Sequence, residues 1–179
     1  MARIVASKTV ATKESARLNE ALLLQALSDS EPEIRRAGIR LAEPELNQSA
    51  ALKKKVIALA KDDDSRVRFQ TAFTLGEVTG PEAAKALYTI VRQDYGDPWI
   101  RTAVLSSLSE STADFLASLL SDVKFAASPQ ARPLLSQLAN VIGTRQQPAE
   151  VERILELAAR YNFPDQPRQT AAVQTQLLR

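Results

Sequence analysis

Arg35, Arg68 and Arg101 stand 33 residues apart, each directly after an Ile or a Val. A guanidinium fork matches a carboxylate or phosphate with two parallel hydrogen bonds. Such a row could bind an anion. It could equally neutralise acidic caps and turn carbonyls where one structural unit meets the next, and this second reading is the one adopted. Asp62-Asp63-Asp64 lacks the spaced oxygens and closing Glu of a Ca²⁺ loop. Lys53-Lys54-Lys55 reads as a solvated helix face. The chain has no Cys and no His. Disulfides, thiolate or imidazole metal sites, c-type haem attachment and Ser-His-Asp or Cys-His catalysis are thereby excluded.

The elements that position these arginines repeat with them. After the pairs Ile34-Arg35, Val67-Arg68 and Ile100-Arg101, small or apolar residues recur four, five and eight positions on. These are Gly38, Ile39 and Ala42, then Ala72 and Leu75, then Val104, Leu105 and Leu108. A fourth copy starts at Leu134, one residue late, with Leu138, Ala139 and Ile142. Fixed-step self-similarity of this length marks a helical repeat array. Each unit resolves into two amphipathic helices. Glu31-Pro32, Asp64-Ser65 and Asp97-Pro98 start the second helices, because the acid can accept from free first-turn N–H groups and Pro fits the first helical position. Ser128-Pro129 takes this part in the fourth unit. Pro44, Gly76 with Gly80-Pro81, and Gly143 are read as the stops.

The first helices show apolar residues at helical spacing: Leu18, Leu22 and Ala26; Leu52, Val56 and Ala60; Ala84, Leu87 and Ile90; Phe115, Leu116 and Leu119; Val151, Ile154 and Leu155. The expected fold is an all-α right-handed solenoid of about four to five helix pairs. Its units fall near 14–45, 46–79, 80–110 and 111–145, with a partial fifth over 146–179 whose partner helix near 167–178 is degenerate. Residues 1–13 lack the pattern and are expected to be extended or disordered.

Second helices usually line the concave side of such an array, where solenoids bind their partners. Offsets two and six from the Ile or Val give Arg36 and Arg40, Phe69 and Phe73, and Thr102 and Ser106. A Phe pair one turn apart on a solvent face is unusual, since it normally points inward. The expected site is a hydrophobic contact beside a basic pair, with a protein or peptide as partner. The competing reading tucks both rings between neighbouring helices. Trp99, the sole Trp, either marks a partner interface or caps the apolar seam between units.

The composition is that of an ordinary soluble protein: 45% apolar, 25% charged and a net charge of +2. The charge falls short of a dedicated nucleic-acid binder. It is uneven, with nine bases and five acids over residues 35–68, but three bases and seven acids over 69–123. No apolar run is long enough to span a membrane. Residues 1–8 are too short and too broken by charge for a signal peptide, so the chain as given reads as cytosolic or as a soluble piece of something larger. No metal and no cofactor is expected.

The string from Asp62 to Gly76, with Val67-Arg68, Ala72 and Leu75-Gly76, resembles HEAT repeats. That resemblance implies an Asp–Arg ladder between neighbouring units: Asp29 with Arg35 and Asp62 with Arg68, with Arg101 in the third position. The third unit departs, carrying Tyr95 in place of the Asp with Asp94 beside it, and the fourth has Leu135 in place of Arg. A narrower resemblance covers about residues 20–120. Val67-Arg68-Phe69-Gln70 with Leu75-Gly76-Glu77, and Asp97 to Leu108, look like the HEAT section of exported planctomycete-type proteins that join a β-propeller, HEAT repeats and a cytochrome c domain. The chain lacks Cys-x-x-Cys-His, so at most it would be their scaffold. Among enzymes, HEAT-like DNA glycosylases use Trp, Asp and Arg, types present together as Trp99, Asp97 and Arg101, but in an acidic block. HEAT-type deoxyhypusine hydroxylases need His ligands and are excluded. HEAT-like phycobilin lyases stay open. The function expected is a non-catalytic interaction or scaffold module.

Overall fold

The computed structural model describes residues 19–108 and 112–160, with side chains to 156. The expectations for residues 1–13 and for a helix near 167–178 lie outside these residues. Ten helices and no strand occur among the described residues. We number them α1 (19–26), α2 (Pro32–Ala42), α3 (Ala50–Ala58), α4 (Ser65–Thr74), α5 (Pro81–Asp94), α6 (Pro98–Ser107), α7 (Thr112–Ser121), α8 (Val123–Ala127), α9 (Arg132–Arg145) and α10 (Pro148–Arg160). The second helices α2, α4 and α6 pack in series, and the first helices α3, α5 and α7 do the same. This is an all-α HEAT-type solenoid. No single pair could bury its apolar stripe, so the core is continuous along the stack. Ile39, Val56, Val67, Leu87, Ile100, Leu116 and Leu134 are all sealed in it.

The caps behave as their side chains dictate. Asp64 accepts from the Arg66 and Val67 amides, and Asp97 from the Trp99 amide. Glu31 holds the cap position of α2, but its longer side chain makes no cap hydrogen bond. Close approach matters at two glycines. A Cβ on Gly38 would meet Ala26 Cβ at 3.1 Å, and one on Gly76 would meet Ser107 at 3.2 Å. Ser107 in turn donates to the Ala72 and Phe73 carbonyls at 2.7 and 3.2 Å, tying α6 to the end of α4.

Four expectations are corrected. Gly143 does not stop its helix. α9 runs on to Arg145, and Gln146 supplies the left-handed cap at φ 49°, its N–H bonded to the Ile142 carbonyl. The fourth unit is not a plain pair either. Asp122 caps a short extra helix, α8, and Ser128-Pro129 opens a 3₁₀ turn before α9. Finally, Ile34 is 44% exposed where Val67 and Ile100 are sealed. Val67 and Ile100 sit between stacked units, whereas no unit precedes Ile34 among the described residues. Leu155, expected to face the core, is exposed for the same reason at the other end of the described array.

Asp64 permits a pH prediction. Hydrogen bonding from the Arg66 side chain, then from the Arg66 and Val67 amides, holds its carboxyl down at about 2, from an ordinary 3.8. A carboxyl depressed on folding stabilises above its unfolded pKa, and that contribution disappears as pH falls through the folded value. The melting temperature should therefore drop as pH is lowered from about 4 to about 2. Asp64→Ala should flatten that slope and cost about 1 kcal/mol at pH 7 through the lost cap.

Candidate functional site

Each row arginine is held by its own turn before it reaches anything else. Nη1 of Arg35 donates to the Asp29 and Ser30 carbonyls, both at 2.9 Å. Nη1 of Arg68 does the same to Asp62 and Asp63 at 2.6 and 3.0 Å, and Nη1 of Arg101 to Tyr95 and Gly96 at 3.1 and 3.0 Å. The acceptors are always six and five residues back, at the carbonyls of the turn before the second helix. This fixes the guanidinium plane and points its Nε–Nη2 edge toward the next unit.

Two of these edges are filled by carboxylates of the following unit. Arg35 donates to Asp62 at 2.8 and 2.7 Å, and Arg68 to Asp94 at 2.5 and 2.7 Å. The side-chain hydrogen bonds to Asp62 and Asp94 push each guanidinium pKa above its ordinary value. Asp62 thus faces backward to Arg35 with its carboxylate and forward to Arg68 with its carbonyl. Asp29, the expected first rung, has no cation partner among the described residues; its carboxylate accepts from the Glu31 amide. The third rung uses Asp94 rather than position 95. Tyr95 instead stacks edge-on against Phe125 at 4.9 Å.

The expected binding residues lie on the outer side of α2, α4 and α6. Phe69 and Phe73 are in edge-to-face contact, centroids 5.0 Å apart. The two readings of this pair divide between its members. Phe69 is half-buried and packs on the core, while Phe73 is 40% exposed. Arg36 pairs with Glu33 at 2.8 Å, and Arg40 is exposed. Thr102 and Ser106 turn their hydroxyls back to the Pro98 and Ala103 carbonyls of their own helix. They bring little free hydrogen-bonding capacity to the surface.

Trp99 is 71% exposed, so it does not cap the seam between units. It stands with Phe69, Arg36, Ser65, Arg66 and Asp97 around a shallow recess of about 260 Å³. Arg66 was absent from the sequence-level site, although one signal could have found it. Glu33, Arg66 and Trp99 share one repeat offset, directly before the Ile or Val, and Arg66 bonds Glu33 at 2.8 Å. The groove is the seam between that row and the row of Arg36, Phe69 and Thr102. In the trio Trp99, Asp97 and Arg101, Asp97 caps the helix by accepting from the Trp99 amide, and Arg101 is anchored to turn carbonyls.

A family model for HEAT repeats matches residues 20–109, half of the chain. The chain belongs to the HEAT-repeat family. Comparison with curated proteins and with solved structures gave no match. HEAT repeats typically mediate protein–protein contact and are scaffolds rather than enzymes. The HEAT match ends where the ladder ends, just after α6. Beyond it Arg92–Asp122 at 2.6 Å, Arg92 over the Phe125 ring and the Tyr95–Phe125 contact join the third unit to the fourth. No group of three potential metal ligands converges among the described residues. No described helix is long and apolar enough to cross a membrane.

Proposed function

We propose that this HEAT array is a non-catalytic interaction module that binds a protein or peptide along the outer side of α2, α4 and α6, its concave face. Phe69, Phe73 and Trp99 supply the apolar anchors. Arg36, Arg40 and Arg66 rim them and steer acidic residues of the partner. Thr102 and Ser106 border the surface without carrying it. The single observation behind this reading is the exposure of Trp99 beside Phe69 in a recess edged by guanidinium groups. Trp, Tyr and Arg dominate interface energetics because large rigid side chains exclude water around a few strong contacts. A finer kinship, as the scaffold section of a larger propeller and cytochrome protein, rests on the two strings quoted above alone.

The experiment is a crosslinking partner screen followed by calorimetry. Trp99→Ala is the cleanest variant, since the ring leaves the core untouched. It should weaken binding by about 2 kcal/mol or more. Phe69→Ala/Phe73→Ala should lose at least as much, with circular dichroism checking that the fold is kept. Arg36→Ala and Arg40→Ala should mainly slow association and reduce its salt dependence. Unchanged affinity in both aromatic variants would move the site elsewhere on the solenoid.

A further inference from the structure

Arg101 is built like Arg35 and Arg68 but lacks what they hold. Its Nη1 is locked to two turn carbonyls in the same way. Its Nε is buried and has no hydrogen-bond partner among the described residues, and no described carboxylate of the next unit is bonded to it. The two filled forks show what this edge is shaped for, namely both oxygens of one Asp, taken by Nε and Nη2. The sequence explains the vacancy. The partner Asp lies 27 residues after Arg35 and 26 after Arg68. The corresponding positions after Arg101 are Ser128 and Ala127, neither of which carries charge. Ser128 instead shares a hydrogen bond with the Tyr95 hydroxyl at 3.4 Å. A buried donor without a partner is costly, and more so on a cation.

We propose that Arg101 is an open rung that receives a carboxylate from outside the array, an Asp or Glu side chain of a partner polypeptide. The site goes beyond the aromatic groove, because it faces along the stack toward the fourth unit. Carboxylate rather than phosphate is assigned for two reasons. The sibling forks hold single carboxylates, and with Nη1 committed to carbonyls only one two-oxygen edge remains. Seating the acid would satisfy the buried Nε and continue the ladder past the point where the chain's own acids stop.

The test reads the arginine Nε–H resonances of the ¹⁵N-labelled full chain. Arg101→Lys identifies the Arg101 signal by its disappearance. Sodium acetate is titrated against chloride at constant ionic strength, with a blocked Asp dipeptide and inorganic phosphate as parallel arms. The Arg101 signal should move saturably with acetate and with the dipeptide. Those of Arg35 and Arg68, already hydrogen-bonded, should stay put. Ser128→Asp supplies the acid from within; it should raise the melting temperature and abolish the acetate response. An Arg101 signal that moves no more than that of exposed Arg40 would overturn the proposal. So would a response to phosphate alone, or an acetate response unchanged in Ser128→Asp.

Discussion

Replacing Val67 with Asp should unfold this protein at temperatures where the parent is fully native. Val67 is completely sealed from solvent near the start of α4, a helix that packs against both α2 and α6. An Asp there has no cation within the apolar seam to pair with. Burying it uncompensated should cost about 3 kcal/mol or more. Because a solenoid's stability is a sum of units and their interfaces, and α4 touches both neighbours, the loss should not stay local. Thermal melts followed by circular dichroism check this. A melting temperature equal to the parent's would mean that the inward register of α4 is wrong. Ile34→Asp occupies the same repeat offset on an exposed site and is the matched control, expected to change stability little.

Removing Arg68 alone should be nearly as damaging. Its side chain is buried, and it holds four acceptors: both oxygens of Asp94 and the carbonyls of Asp62 and Asp63. Arg68→Ala leaves Asp94 charged and partly buried and orphans two turn carbonyls. Breaking a buried pair from one side costs about 3 to 5 kcal/mol. The pair itself need not be worth that much, since the desolvation of both ions offsets much of their attraction. Arg68→Met/Asp94→Leu should therefore recover a large part of the loss, as measured by denaturant midpoints. Arg68→Ala should hurt more than Arg101→Ala, because among the described residues Arg101 has no carboxylate to strand. Equal losses in the two would show that only the carbonyl contacts matter.

The HEAT array was legible because its determinants are local and periodic. The 33-residue step, the acids and prolines at helix starts and the apolar offsets each act within one or two turns of chain. Asp64 and Asp97 cap where their types and positions require. The ladder was legible in kind, since an Arg six residues after a turn can only meet that turn's carbonyls and the next unit's acids. Which acid it meets was less so. Arg68 takes Asp94 because one residue of slippage at the end of α5 leaves the carboxylate, not the Tyr95 ring, opposite the fork. The stop at Gly143 was misread because an exposed Gly weakens a helix by only about 1 kcal/mol, less than packing along α9 supplies.

By itself, the sequence determined the fold class, the step of the array and the absence of thiol and imidazole chemistry. These follow from composition and from contacts between residues close in the chain. Tertiary structure alone decided three further matters. It divided the Phe69–Phe73 pair into one core ring and one surface ring. It exposed Trp99 beside Phe69 and Arg36 in a recess that draws on three units. It filled two arginine forks and left the Nε of the third without a partner among the described residues. The physical reason is common to all three. Burial and pairing depend on what the neighbouring unit presents 26 to 35 residues away, and small differences in helix length set that. The insertion of α8 and the loss of an acid near Ser128 are such differences, and they change the partner of Arg101 without altering any residue in its own helix.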